Sequence, residues 1–288
     1  MKKYASTLFA AFIGLTASVA QAQETKSTWE RVMSTKTLRV GFAIGEPYAF
    51  KDLTNSTAPG GVKVGDTTWR GFGPVVGKKI ADALQVKLEV VESSHASSIA
   101  GLQADLIDVF LPVGPTPERA RSADFVPTPI IWFAMTFYSR TKGAPKTWAE
   151  LNDPKYKVGV VLGAHTDDFA TQKLPKTQIN RFPDVNDQIA ALQTGRVDGI
   201  VALGPVAIAA YSKLKVGELV TPSPREVSSS SVAIRQEADQ RWRNFLTTAI
   251  RYYYDSGIMD DVFNDFLAFR GINPADVLPI TRENWPQK

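Results

Sequence analysis

The chain has 288 residues, 44% of them hydrophobic and 22% charged, with a formal net charge of +4. That length buries one large core or two modest ones, and the composition is that of a folded soluble chain. No Lys/Arg run is long enough for a nucleic-acid patch, and the lack of cysteine excludes disulfides and thiol chemistry.

The N-terminus reads as a basic start at Lys2 and Lys3, an apolar stretch to about Val19, then Ala20-Gln21-Ala22. This is the pattern of a secretory signal, so residues 1–22 are expected to be cleaved after Ala22. With no cysteine to carry a lipid, the mature chain is expected to be free in a bacterial periplasm. Residues 23–30 read as a flexible start. A strand is predicted at 37–43, then a long polar loop over 51–70. A helix follows at 74–84, with Val76, Ile80, Ala83 and Leu84 on one face and Pro74 in its first turn. Next come a strand at 87–92, a short helix at 97–105 and a buried strand at 106–112. The rhythm restarts after 133–140. Strands at 157–163, 178–183 and 197–203 alternate with helices at 165–174, 185–195 and 205–214. Such alternation builds mostly parallel sheets flanked by helices, so an α/β fold with two units is expected. Two C-terminal helices carry apolar stripes, Trp242, Phe245, Leu246, Ala249, Ile250 and Tyr253, then Ile258, Val262, Phe263, Phe266 and Leu267. Gly257 separates them as a helix-ending residue.

Most catalytic signatures are missing. There are two histidines, His95 and His165, without metal-ligand spacing, and neither a G-x-S-x-G elbow nor a P-loop. Gly71, Gly73 and Gly77 echo a dinucleotide loop, but the third glycine falls one residue late. No metal and no cofactor are expected. The stretch "LPVGPTPERARSADF" (residues 111–125) is more informative. A buried strand ends in a Gly-Pro-Thr-Pro loop, and Arg119 follows. A guanidinium there can hold an anion through two parallel N–H···O bonds, or can start a helix as a surface arginine paired with Asp124.

Five segments in order, "TLRVGFAIGEPYAFKD", "GFGPVVGKKIADALQVKLEVVE", "IAGLQADLIDVFLPVGPTPERARSADF", "GRVDGIVALGPVAIAAY" and "LTTAIRYYYDSGIMDDVFNDF", resemble the family 3 extracellular solute-binding proteins. These are the periplasmic receptors of polar amino-acid ABC importers. The resemblance implies a two-lobed type II periplasmic binding fold, each lobe a mostly parallel sheet with flanking helices, hinged by two crossover strands. Lobe 1 would comprise residues 23–132 plus 229–288, and lobe 2 residues 133–228. The implied partners are a small carboxylate-bearing solute in the interlobe cleft and an inner-membrane ABC permease. The protein would act as a monomer and perform no catalysis.

The resemblance also implies a site. Arg119 falls where the family grips a carboxylate, and Pro112 and Gly114 lie in the loop that offers backbone N–H groups. Gly114 stands where a Ser or Thr is common. Tyr48 matches the cleft aromatic, and His95 a position often held by Trp. Ala164, His165 and Thr166 match the Gly-Ser/Thr-Thr loop at a helix start, an anion site. Leu203 replaces an Asp that usually pairs with the ligand's α-ammonium. Either another acid substitutes, Glu46 being the nearest, or the ligand lacks a standard α-ammonium. Two other readings stay open: a dehydratase-like enzyme on the same fold, and a ligand-sensing module.

Overall fold

The structure, a computed structural model, describes residues 26–54 and 56–285, and the expected signal segment 1–22 lies outside them. The described chain starts with a helix rather than a flexible lead. In α1 (Thr28–Thr35) the Ser27 hydroxyl caps Glu30 N, Val32 is buried, and Trp29 packs against Phe245 at 6.0 Å. A capped turn with one apolar face has somewhere to dock.

The strand β1 (Thr37–Ala43) is buried along its second half. The predicted polar loop 51–70 instead holds most of a small antiparallel sheet, joined by turns. The sheet comprises β2 (Phe50–Lys51), β3 (Val62–Val64) and β4 (Thr67–Arg70), in the order β2–β4–β3. Trp69 packs edge-on to Phe42 at 5.4 Å. Arg70, 3% exposed, bonds Asp52 at 2.7 Å and the carbonyls of Ser56, Ala58 and Pro59. One arginine thus satisfies the loop's carbonyls and makes the segment foldable despite its polarity.

Next come α2 (Phe72–Leu84), β5 (Lys87–Ser93), α3 (Ser98–Gln103), β6 (Val109–Val113), α4 (Pro117–Ala120) and β7 (Asp124–Phe125). On α2 the buried alanine is Ala81, and Ala83 is exposed, contrary to the expected face. The strand expected from 106 begins at Val109, because Leu106 is exposed and the Asp108 carboxylate turns back to accept from Arg39 N at 2.6 Å.

The second unit runs β8 (Ile131–Ser139), α5 (Trp148–Leu151), β9 (Lys157–Val161), α6 (His165–Lys173), β10 (Gln178–Phe182), α7 (Val185–Gln193), β11 (Gly199–Leu203), α8 (Gly204–Leu214) and β12 (Glu218–Val220). The strand β13 (Val227–Ile234) then returns to the first unit, followed by α9 (Arg241–Asp255) and α10 (Ile258–Arg270). Gly257, at φ 79°, ends α9 as expected.

The main path of the sheet is β10–β9–β11–β8–β13–β6–β1–β5. Its ends, β10–β9–β11 and β6–β1–β5, are parallel, and each forms the centre of one lobe. Between them β8 and β13 pair antiparallel, Val227 opposite Ala134 through Ser230 opposite Ile131. Those two strands are the crossovers of a two-lobed α/β fold. Parallel ends place helix N-termini and strand C-termini on the same rim of each lobe, where the lobes face each other. No helix among the described residues is long and apolar enough to cross a membrane.

Candidate functional site

From the first lobe, the turn Gly45–Ala49 is closed by Gly45 N to Ala49 O and Tyr48 N to Gly45 O, both 2.8 Å. It turns Tyr48 inward to 3% exposure, and burial raises the phenol pKa, so the hydroxyl stays neutral. His95 follows β5. Its ring lies edge-on to Tyr48 at 6.4 Å and to Phe110 at 6.0 Å. Burial, aided by the positive charge of Arg119, pushes the His95 pKa down to about 4. Pro112 lies near the end of β6, and Gly114 follows the strand's last residue, Val113. A Cβ on Gly114 would stand 3.3 Å from that of His165, so the second lobe's histidine fills the space a Ser or Thr would need.

From the second lobe come two helix starts. Ala164 caps α6 and Leu203 caps α8, and neither supplies a side-chain cap. His165 packs against Phe133 at 6.2 Å, and its pKa is lowered by burial and then by Arg119, with Asp168 opposing. Thr166 is buried in the first turn of α6.

Eight expected residues, Tyr48, His95, Pro112, Gly114, Ala164, His165, Thr166 and Leu203, line one interlobe cavity. Its volume is ≈ 30 Å³. Small-molecule sites take on the order of 300 Å³ or more, so a solute needs the lobes to part. A wider groove of ≈ 390 Å³ shares Tyr48, His95, Val161 and Val185 with it and leads outward past Ser93, Ser94 and Asp184. Sequence reasoning missed Val161, Val185, Gln188 and Ser230 on the cavity wall. Gln188 had a readable signal: it interrupts the buried face of α7 formed by Val185, Ala191 and Leu192. Its amide donates to Gly159 O and Val201 O, tying α7 to β9 and β11.

Arg119 stands one residue behind the cavity wall. Its guanidinium donates to Gly114 O and Gly163 O, both 2.8 Å, and pairs with Asp168 at 3.2 Å. Two of these three contacts cross to the second lobe, and none is with Asp124. Glu46 is likewise engaged. It pairs with Lys213 on the second lobe at 2.6 Å and with Arg270 Nε at 2.8 Å, away from the cavity wall. Among the described residues, therefore, no charged side chain lines the cavity. Its polar character comes from neutral groups. Among the described residues, Tyr48 Oη and His165 Nδ1 are the buried side-chain atoms with no hydrogen-bond partner. Among those residues no three His, Asp or Glu side chains could hold a metal ion together.

Two lobes on crossing strands, with uncapped helix starts facing a cleft, define the class of the solute-binding receptors. The model of the bacterial extracellular solute-binding proteins, family 3, matches residues 52–268, and the chain belongs to that family. No curated protein matches the sequence. Among solved structures, one similar chain is the ancestral amino acid-binding protein AncCDT-1, described as a precursor of cyclohexadienyl dehydratase. It is 27% identical with a TM-score of 0.71, over 83% of this chain and 99% of that one. The substrate-binding protein AbpA of an amino acid ABC transporter from Streptococcus pneumoniae, bound to L-arginine, is 20% identical with a TM-score of 0.71, over 84% and 98%. An ancestral arginine-binding protein bound to arginine is 23% identical with a TM-score of 0.68, over 80% and 98%. The last two show the shared fold.

Proposed function

We propose that this chain is the periplasmic receptor of an ABC importer, exported by its N-terminal segment, and that it captures a small carboxylate-bearing solute of amino-acid size between its lobes. Residues 23–132 with 229–288 form one lobe and 133–228 the other. The observation that carries this reading is the convergence of residues from both lobes on one cavity at the strand ends. Closure then buries the ligand and forms the surface a permease reads. When the lobes part, Arg119 loses Gly163 O and Asp168, and its freed N–H groups face the cleft. A ligand carboxylate takes the place of Asp168.

The test is calorimetric titration of the protein, purified after expression of the full-length chain, with a panel of small carboxylates and their amides. Binding of a carboxylate but not its amide supports the reading. Binding of neither, or of both alike, removes it. A second reading, an enzyme on this fold, draws on the neighbour described as a dehydratase precursor and on two histidines kept unprotonated at the cleft. NMR of the bound carboxylate over hours separates the two, because only an enzyme changes it.

A further inference from the structure

The cavity carries an electrostatic signature that its residue types alone do not reveal. Two helix N-termini, of the nine-residue α6 and the eleven-residue α8, open onto it through apolar cap residues, Ala164 and Leu203. First-turn N–H groups lack intrahelical acceptors, and each helix start carries partial positive charge. Arg119 adds a full positive charge nearby, and its field reaches the cavity, since it disfavours protonation of both His95 and His165. The helix starts and Arg119 favour an anion, and the two acids in the first turn of α6 offset only part of this, because Asp167 is paired with Arg181 and Asp168 with Arg119.

The same features oppose a cation. Among the described residues no carboxylate lines the inner cavity to meet an α-ammonium, and Asp168 is held by Arg119 behind the wall. Leu203, 8% exposed, occupies the α8 cap, and Glu46 is held by Lys213 and Arg270. Asp198, the next acid upstream, accepts from Lys157 N at 2.8 Å. Asp184 lines the outer groove rather than the inner cavity, and there it caps α7. What the inner cavity does present is a pair of buried, neutral, unpartnered groups, Tyr48 Oη and His165 Nδ1. Buried polar atoms without partners are rare in folded proteins, and a ligand atom that bonds both relieves their cost. A keto oxygen accepts from both. A hydroxyl accepts from Tyr48 and donates to His165.

We propose that the cleft selects small carboxylates bearing an uncharged oxygen on the α-carbon, a hydroxyl or keto group in place of an ammonium, and that Tyr48 and His165 bind that oxygen. The valines and Leu203 of the wall suit an apolar side chain beyond it. This selectivity rests on the receptor reading above.

The test uses matched sets with one side chain each: leucine, 2-hydroxyisocaproate and 2-ketoisocaproate, then phenylalanine, phenyllactate and phenylpyruvate. Calorimetry on the full-length expressed protein is expected to show a hydroxy or keto acid binding roughly 100-fold or more tighter than its amino acid, the scale of an unpaired buried ammonium. Comparing the two oxygen forms tells the donor from the acceptor role of His165. Tyr48→Phe is expected to weaken the preferred acid roughly 10-fold, by loss of one hydrogen bond, while a methyl-terminated control acid without the α-oxygen is unaffected. An amino acid that binds as tightly as its oxygen analogues overturns the selectivity and leaves the receptor reading standing. If no member of any set binds, both fall. Leu203→Asp gives a second measure: restored amino-acid affinity supports the assignment, and unchanged preference in a folded variant contradicts it.

Discussion

His95 and Arg119 show how a single position acquires its chemistry from what folds against it. His95 is held neutral mainly by burial, and its folded pKa near 4 lies below the ordinary value of 6.5. In the unfolded chain it takes up its proton first, so stability falls as pH drops from 6.5 toward 4 and levels off below. The urea midpoint of the wild type, minus that of His95→Gln, is expected to decline across that window. A flat difference from pH 7 to 4 would show that His95 titrates ordinarily. Its position was readable from the flanking segments of the family. Its state was not, because Phe110 and Arg119 surround it from other elements.

At the scale of elements, the long helices were legible, since α9 and α10 carry apolar stripes whose spacing survives folding. The segment 51–70 was not. Its strands are short, and its order depends on Asp52 and Arg70, which are eighteen residues apart in sequence and both buried. Removing one partner of such a pair leaves an uncompensated buried charge, costing about 3–5 kcal/mol. Asp52→Ala is therefore expected to lower stability by that amount in urea unfolding, with the ligand cavity unchanged because no atom of the pair lines it. A loss below about 1 kcal/mol would return the segment to the status of a decorating loop.

At the scale of the whole molecule, the proposed capture of a solute depends on how closely the lobes meet. Gly163, at φ 67°, lets the α6 turn approach Ala96 of the other lobe, where an added Cβ would stand 3.0 Å from Ala96 Cα. Gly163→Asn, a residue that tolerates this left-handed backbone, is expected to keep the fold of each lobe but block full closure, reducing affinity roughly 10-fold or more, since the buried contacts form only on closing. Lys213→Met removes the interlobe pair with Glu46 while leaving Arg270 in place. Its unfolding midpoint should barely move, as for other partly exposed pairs. Its radius of gyration by small-angle scattering should rise. An unchanged radius would mean that Arg119 and packing alone hold the lobes together.

By itself the sequence determined the main alternation of strands and helices outside α1 and the segment 51–70, the two-lobed α/β class and the positions that converge on the cleft. Periodicity and turn residues are local properties, and the family resemblance supplied the register. Only the tertiary structure decided which charges remain available. Arg119 and Glu46 each read as a free ligand-binding group, yet each finds its partner on the opposite lobe, at Asp168 and at Lys213. Coulombic pairing between residues 49 or 167 positions apart has no sequence signature. That pairing, together with two uncapped helix starts, leaves a cavity lined by neutral side chains, and this sets the chemistry of what the cleft can hold.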